Sequence, residues 1–148
     1  MENSDTKRRG FAAMLAGGEP IVIDGGLATQ CEAMGCNIDG ELWSGVLLRD
    51  DPAALIAAHR AYLEAGAQII ATASYQASRQ GFMAEGSTEA EADRLIASSV
   101  SLAAQARDEF MQENPDTPWP LVASSIGPYG AILHDGSEYT GNYDIDAE

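Results

Sequence analysis

The residues of this chain that are best suited to binding a ligand follow short apolar runs. Three such runs occur, at residues 20–23, 68–75 and 121–129. The first run ends directly before Asp24, Gly25 and Gly26, and the other two also become polar or glycine-rich towards their carboxyl ends. Runs of this kind, separated by helical segments, predict parallel strands whose carboxyl ends form one rim. We expect a ligand site to lie on that rim.

Hydroxyl-bearing side chains mark the end of the second run. Thr72, Ser74 and Tyr75 lie where the alternation of a strand would point some of them inward. Their hydroxyl groups are therefore candidates for lining a pocket. The alternative is structural, with buried hydroxyls bonded to the backbone and Tyr75 packed in the core.

The helical segments between the runs have recognisable ends. Gly35 ends a short helix that follows the first run. Asp51, which precedes a proline, caps a longer helix that ends at Gly66. Thr88, with a glutamate three positions later, predicts a capping box at the start of a third helix, which Asn114 closes. Strands joined through helices run parallel by right-handed crossovers, so the fold class is predicted to be α/β with three parallel strands.

The spacing of the runs indicates that three strands are part of a larger architecture. Each strand and its following helices take about fifty residues, and eight such units would exceed 148 residues more than twofold. The predicted organisation is a flexible N-terminal lead over residues 1–19 and a partial, truncated barrel domain over 20–148. The polar tail from 130 to 148 stops as though a helix were about to start.

Composition and charge restrict the classes of partner. The chain has 45% hydrophobic and 21% charged residues, which is typical of a folded globular protein. Its formal net charge of -15 argues against nucleic acid, because phosphate backbones are bound by clustered Lys and Arg. No apolar run approaches the length of a membrane span, and the basic segment at 7–9 is interpreted as part of the lead and not as an export signal.

The chain has two cysteines, Cys31 and Cys36, around the end of the short helix. Five positions along a helix and turn are expected to leave the thiols too distant and badly aimed for easy bridging. Without a disulfide framework, a reducing cytoplasmic location is predicted. His59 falls on the apolar face of the second helix, where a buried core histidine is expected.

Six segments occur in order from about residue 20 to 143. They are Ile-Asp-Gly-Gly-Leu-Ala-Thr at 23–29, Leu-Trp-Ser at 42–44, Ala-His-Arg-Ala-Tyr-Leu-Glu-Ala-Gly-Ala at 58–67, Thr-Ala-Ser-Tyr-Gln-Ala at 72–77, Ser-Ile-Gly-Pro-Tyr-Gly-Ala at 125–131 and Gly-Ser-Glu-Tyr at 136–139. Together they resemble the homocysteine S-methyltransferase family, and most closely its members that use S-methylmethionine or S-adenosylmethionine. The resemblance implies the N-terminal portion of a TIM-type (β/α)8 barrel. It also implies a rim that binds homocysteine and a zinc ion.

The resemblance further implies roles for the first rim segment. Asp24 would accept hydrogen bonds from the ammonium group of homocysteine, and Gly25 and Gly26 would let backbone N–H groups approach its carboxylate. An ordinary turn after a strand is the alternative explanation for all three residues. In the implied reaction, zinc holds the substrate thiol as a thiolate, which attacks the methyl group of a sulfonium donor and yields methionine. Little acid–base work is needed, so we assign no catalytic residue to this chain.

The chain departs from the family pattern at the metal. In the family, the zinc ligands are one cysteine and then an adjacent pair on later strands, and this chain has no matching position. Two hypotheses follow. In the first, the chain is the N-terminal part of a methyltransferase. In the second, it is an inert half-barrel that pairs through its exposed strand edges with a second copy or a missing half. A cobalamin- or betaine-dependent relative is a further alternative.

Overall fold

A computed structural model describes residues 9–40, 42–133 and 135–142 of the chain. The helices, with one 3-10 helix at Trp43–Val46, greatly outnumber the strands in these residues. In chain order the elements are α1 (Phe11–Ala16), α2 (Leu27–Ala33), the 3-10 helix, α3 (Leu47–Asp50), α4 (Pro52–Glu64), β1 (Ile69–Ala71), α5 (Arg79–Ala84), α6 (Glu89–Glu113), β2 (Leu121–Ala123), α7 (Tyr129–Leu133) and α8 (Ser137–Thr140).

The predicted ends of the three main helices are confirmed. The Asp51 side chain accepts a hydrogen bond from the backbone N–H of Ala54 at 3.1 Å and caps α4. Thr88 and Glu91 form both halves of the capping box at the start of α6. Gly35 follows α2 with a φ of 86°, a left-handed conformation that glycine adopts without strain.

The sheet contains two parallel strands in the described residues. β1 and β2 pair with Ile70 opposite Val122. The first predicted strand is wrong in its extent, because the segment at 20–23 forms only one parallel bridge, between Ile23 and Ile69. Ile69 pairs with that segment and with β2, so β1 lies between the two. All three segments run in one direction, as predicted.

The first segment is more exposed than its apolar sequence would suggest. The bridge between Ile23 and Ile69 places Asp24 at the level of Ile70. Val22 and Ile23 are 51% and 65% exposed, and Ile126, which follows β2, is 86% exposed. The outer edges of this small sheet are therefore open to solvent.

Several short elements were not predicted from the sequence. They are α1, the 3-10 helix, α3, α5, α7 and α8. α1 lies inside the predicted N-terminal lead, whose first eight residues are outside the described ranges, as is the end of the tail from 143 to 148. Among the described helices, none is long and apolar enough to cross a membrane.

Two hydrophobic clusters stabilise the fold, and α4 and α6 pack against each other beside both of them. Leu55 of α4 belongs to the first cluster and Leu63, two turns later, to the second. His59 lies midway between these two leucines and is fully buried. Neither of its ring nitrogens has a hydrogen-bond partner among the described residues. Burial lowers the pKa of His59 to about 4, so this histidine is neutral in the folded chain near neutral pH.

Candidate functional site

Asp24 joins the first segment to the end of β1. Its backbone N–H donates to the carbonyl of Ile69 at 2.9 Å, and its side-chain Oδ2 accepts from the backbone N–H of Ala71 at 2.7 Å. The carboxyl group is half-buried, and desolvation raises its pKa while the hydrogen bond from Ala71 opposes that rise. An ionised carboxylate accepts several hydrogen bonds. Asp24 can therefore hold β1 and still accept from a ligand.

Gly25 and Gly26 are packed against Tyr62 of α4 and the start of α2. The Tyr62 hydroxyl donates to the carbonyl of Gly26 at 3.0 Å. A Cβ at Gly25 would lie 3.0 Å from that same hydroxyl oxygen, which is closer than nearly all real contacts of this kind. A Cβ at Gly26 would lie 3.2 Å from Oγ1 of Thr29. The two glycines thus allow the backbone to lie close to the side chains of Tyr62 and Thr29. This structural requirement for glycine holds with or without a bound ligand.

A ring of hydrogen bonds connects the ends of β1 and β2. The backbone N–H of Ser125 donates to Oγ1 of Thr72 at 3.0 Å, and the Ser74 hydroxyl donates to the carbonyl of Ser125 at 2.7 Å. Because the Ser74 proton is used there, the Thr72 hydroxyl is the donor in the 2.7 Å contact between the two side chains. Both hydroxyls therefore bond to the backbone at the end of the neighbouring strand. This is the arrangement expected if Thr72 and Ser74 have a structural role.

Thr72→Val tests the contribution of this ring to stability. Valine keeps the shape of the buried threonine, but it leaves the N–H of Ser125 without its acceptor and removes the hydrogen bond that Thr72 donates to Ser74. We expect the free energy of unfolding to fall by about 1–3 kcal/mol, measured by urea denaturation. Ser101→Ala is the control, because its exposed hydroxyl bonds only within α6. Equal midpoints for the Thr72 variant and the unaltered chain would contradict the prediction.

A cavity of about 360 Å³ lies at the carboxyl ends of the strands. Four of the six predicted site residues line it, namely Gly25, Gly26, Thr72 and Tyr75. Asp24 is not among the lining residues, and Ser74 lines a neighbouring cavity of about 370 Å³ together with Tyr75. The structure thus brings the predicted residues to one end of the sheet but divides them between two hollows.

Aromatic and amide groups complete the wall of the first cavity. Among them, only Trp43 is a candidate from the sequence, which leaves open whether it lines the pocket or covers the top of the barrel. Trp43, Gln76 and Tyr139 all line it. Trp43 is half-exposed and has a φ of 44°, a left-handed conformation that a tryptophan rarely adopts. Strain of this size, about 1–2 kcal/mol, concentrates at ligand sites. The left-handed conformation of Trp43 has no signature in the sequence, so this strain is visible only in the structure.

The arrangement suits a small ligand with both charged and apolar parts. Asp24 contributes a carboxylate that is hydrogen-bonded to Ala71 at the edge of the cavity, while Trp43 and Tyr75 contribute aromatic surface. In the part of the chain that the structure describes, no group of three or more His, Cys, Asp or Glu side chains is placed to hold a metal ion.

A profile of the homocysteine S-methyltransferase family matches residues 21–148. The chain belongs to the homocysteine S-methyltransferase family. Among curated relatives, it is 53% identical over 128 residues to homocysteine S-methyltransferase YbgG of Bacillus subtilis, covering 84% of this chain and 41% of the relative. It is 46% identical over 136 residues to homocysteine S-methyltransferase of Escherichia coli, covering 92% of this chain and 44% of that protein.

The fold matches a solved member of the family. The metallated form of the homocysteine methyltransferase MmuM from Escherichia coli aligns with a TM-score of 0.82 at 46% identity, covering 90% of this chain and 46% of that one. The oxidised form aligns with a TM-score of 0.84 at the same identity and coverage. The chain thus spans less than half the length of these relatives. The predictions of the family and of an α/β fold are confirmed.

Proposed function

We propose that this chain forms the homocysteine-binding part of a homocysteine S-methyltransferase, which transfers a methyl group from a sulfonium donor to homocysteine and gives methionine. The observation that carries the proposal is the family match over 21–148, which includes all six predicted site residues. The complete enzyme would be a TIM-type barrel, to which this chain contributes the first strands and helices.

The proposed binding mode follows from the geometry around Asp24. The ammonium group of homocysteine donates to the Asp24 carboxylate, which the N–H of Ala71 already holds in position. The backbone of Gly25 and Gly26 approaches the substrate carboxylate. The thiol end extends into the cavity past Tyr75 and Trp43. These residues bind and orient the substrate, and none of them exchanges a proton with it.

Zinc is the metal that the family resemblance implies, and the described residues do not fit it. They contain no group of three or more candidate ligands. Cys31 is fully buried, and burial together with the neighbouring Cys36 raises the pKa of its thiol to about 11, whereas a zinc ligand must be a thiolate. We therefore derive no step through zinc from these residues. We propose that its ligands belong to other parts of the protein.

Asp24→Asn tests the binding mode. The amide oxygen of asparagine can still accept from the N–H of Ala71, but the charge that would pair with an ammonium group is lost. We expect homocysteine to bind about 10–100-fold more weakly, in line with the contribution of a hydrogen bond to a charged group. Isothermal titration of the chain with homocysteine measures the dissociation constant.

A ligand analogue separates this role from a change in the fold. We expect 4-mercaptobutyrate, which lacks the ammonium group, to bind the Asn variant and the unaltered chain equally well. Asp108→Asn is the matched control, because Asp108 is exposed on α6 and pairs with Arg107. Equal homocysteine affinity for the Asp24 variant and the unaltered chain would refute the assignment.

Three finer points belong to the same proposal. We propose S-methylmethionine or S-adenosylmethionine as the methyl donor, on the family resemblance. An assay of methionine formation with each donor tests this point. We also propose a cytoplasmic location.

The open edges of the sheet carry the third point. We propose that the edges at Val22, Ile23 and Ile126 are covered by further protein, because exposed apolar edges favour association.

A further inference from the structure

Cys31 and Cys36, which are five positions apart, come together at the carboxyl end of α2. The N–H of Gly35 donates to the carbonyl of Glu32 at 2.9 Å, and the N–H of Cys36 donates to the carbonyl of Cys31 at 3.0 Å. These two bonds, with Gly35 in the left-handed conformation, are the Schellman motif. In this motif the residue after the glycine folds back over the third residue from the helix end. Here both of those residues are cysteines.

The backbone places the two cysteines side by side. The hydrogen bond from the N–H of Cys36 to the carbonyl of Cys31 brings their main chains together, and both cysteines are free. The expectation that the two cysteines are too distant from each other is therefore wrong. It treated the five positions as helical rise, whereas the helix ends between them and the chain reverses. Cys31 is fully buried and Cys36 is partly exposed, so only Cys36 is open to a reagent in solution.

We propose that Cys31 and Cys36 are a redox-sensitive pair that closes a reversible disulfide across the carboxyl end of α2. A disulfide requires Cα atoms within about 4.4–6.8 Å of each other. The backbone hydrogen bond between the same two residues holds their main chains in direct contact. Closure therefore needs side-chain rotation but no rearrangement of the helix. This proposal is independent of the proposed function.

The oxidant is a low-molecular-weight disulfide, and the step is two thiol–disulfide exchanges. The Cys36 thiolate attacks one sulfur of the small disulfide, which breaks its S–S bond and releases one small thiolate. The Cys31 thiol then loses its proton, and its sulfur attacks Sγ of Cys36 in the mixed disulfide, releasing the second small thiolate. The two protons lost by the protein thiols are taken up by the two released thiolates. Two protein thiols are oxidised and one small disulfide is reduced.

The position of the pair connects it to the candidate site. α2 begins directly after Gly26, which is its N-cap, and ends at the cysteines. Cys31 is also close enough to Tyr62 to contribute to the raised pKa of that phenol, and the Tyr62 hydroxyl holds the carbonyl of Gly26. A disulfide would therefore fix one end of the helix whose other end borders the cavity.

Incubation of the chain with glutathione disulfide, followed by iodoacetamide trapping and mass spectrometry, tests the proposal. We expect the unaltered chain to lose two hydrogens, with no glutathione adduct accumulating and a cross-linked peptide containing both cysteines. Reduced glutathione in excess should restore both thiols. Glutathione remaining on Cys36 as the main product would overturn the proposal, and so would two thiols that are both still alkylated. This measurement needs no variant, so it does not depend on a substitution being tolerated.

Two single variants identify the order of attack. Cys31→Ser cannot complete the second exchange, and we expect it to keep glutathione on Cys36. Cys36→Ser leaves only the buried thiol, and we expect its reaction to be at least about tenfold slower, since burial suppresses the thiolate. Equal rates for the two variants, with circular dichroism spectra like that of the unaltered chain, would contradict the assignment of Cys36 as the attacking thiol.

Discussion

Replacing Gly127 by alanine is expected to destabilise the chain by about 3 kcal/mol or more. A Cβ at this position would overlap the carbonyl oxygen of Tyr75 and lie 3.3 Å from the Cβ of Ala131. The main obstacle is backbone, which cannot rotate away as a flexible side chain can. Relief requires the segments after β1 and β2 to separate, which would break the hydrogen-bond ring between Ser74 and Ser125.

Urea denaturation followed by circular dichroism measures this effect, and Gly10→Ala is the matched control. A Cβ at Gly10 meets nothing within 4 Å, and its φ of -71° suits any residue. The control should therefore change stability by less than about 1 kcal/mol: glycine is preferred to alanine at an N-cap, but α1 has no buried residues. We also expect Gly127→Ala to weaken homocysteine binding, because Tyr75 lines the cavity. An unchanged unfolding midpoint for Gly127→Ala would show that the strand ends can move apart at little cost.

The helices of this chain could be predicted because their ends are encoded locally. Asp51 and Thr88 each bond to a backbone N–H three residues away. Such contacts depend on short stretches of sequence and survive any change in the rest of the fold. The first strand depends instead on pairing with residues far along the chain, as in the bond that the N–H of Ala71 donates to Asp24, 47 positions away. An apolar run predicts that a strand is favourable, but it does not fix how many of its residues find a partner.

In the candidate site, too, the features encoded locally could be predicted and the contacts between distant residues could not. The sequence located Asp24 and Thr72 at strand ends, and the parallel arrangement brought those ends together. It could not show that the Thr72 hydroxyl is held by Ser125, 53 positions away. The cysteine pair is different, because its signal was present in the sequence. A glycine that ends a helix, with one cysteine four positions before it and another directly after it, predicts that the two cysteines lie close together once the Schellman geometry is applied.

His59 should make the stability of the chain fall as the pH is lowered from about 6.5 to about 4. Burial lowers its pKa in the folded chain to about 4, from an ordinary value of 6.5. Between these values the unfolded chain binds a proton at this residue and the folded chain does not, so acid favours unfolding. The contribution is fully present above pH 6.5. It decreases by about 3 kcal/mol across the window, since one pKa unit corresponds to about 1.4 kcal/mol.

His59→Leu should remove this dependence and raise stability at pH 5. Leucine packs between Leu55 and Leu63 without bringing ring nitrogens that lack partners. Carboxylates such as Asp50 and Glu91, whose pKa values are lowered by their hydrogen bonds, also lose their stabilisation in acid. The quantity to measure is therefore the difference between the urea unfolding free energies of the variant and the unaltered chain at several pH values.

His59→Gln separates titration from the burial of a polar group. Glutamine does not titrate, so the slope between pH 6.5 and 4 should flatten as in the leucine variant. Its amide is polar and buried, which costs free energy. The gain in stability at pH 5 should therefore be smaller than in the leucine variant, or absent. If all three chains lose stability in parallel as the pH falls, His59 is protonated in the folded state or is not buried in solution. Loss of the pH dependence in the leucine variant but not in the glutamine variant would assign the effect to packing and not to the proton.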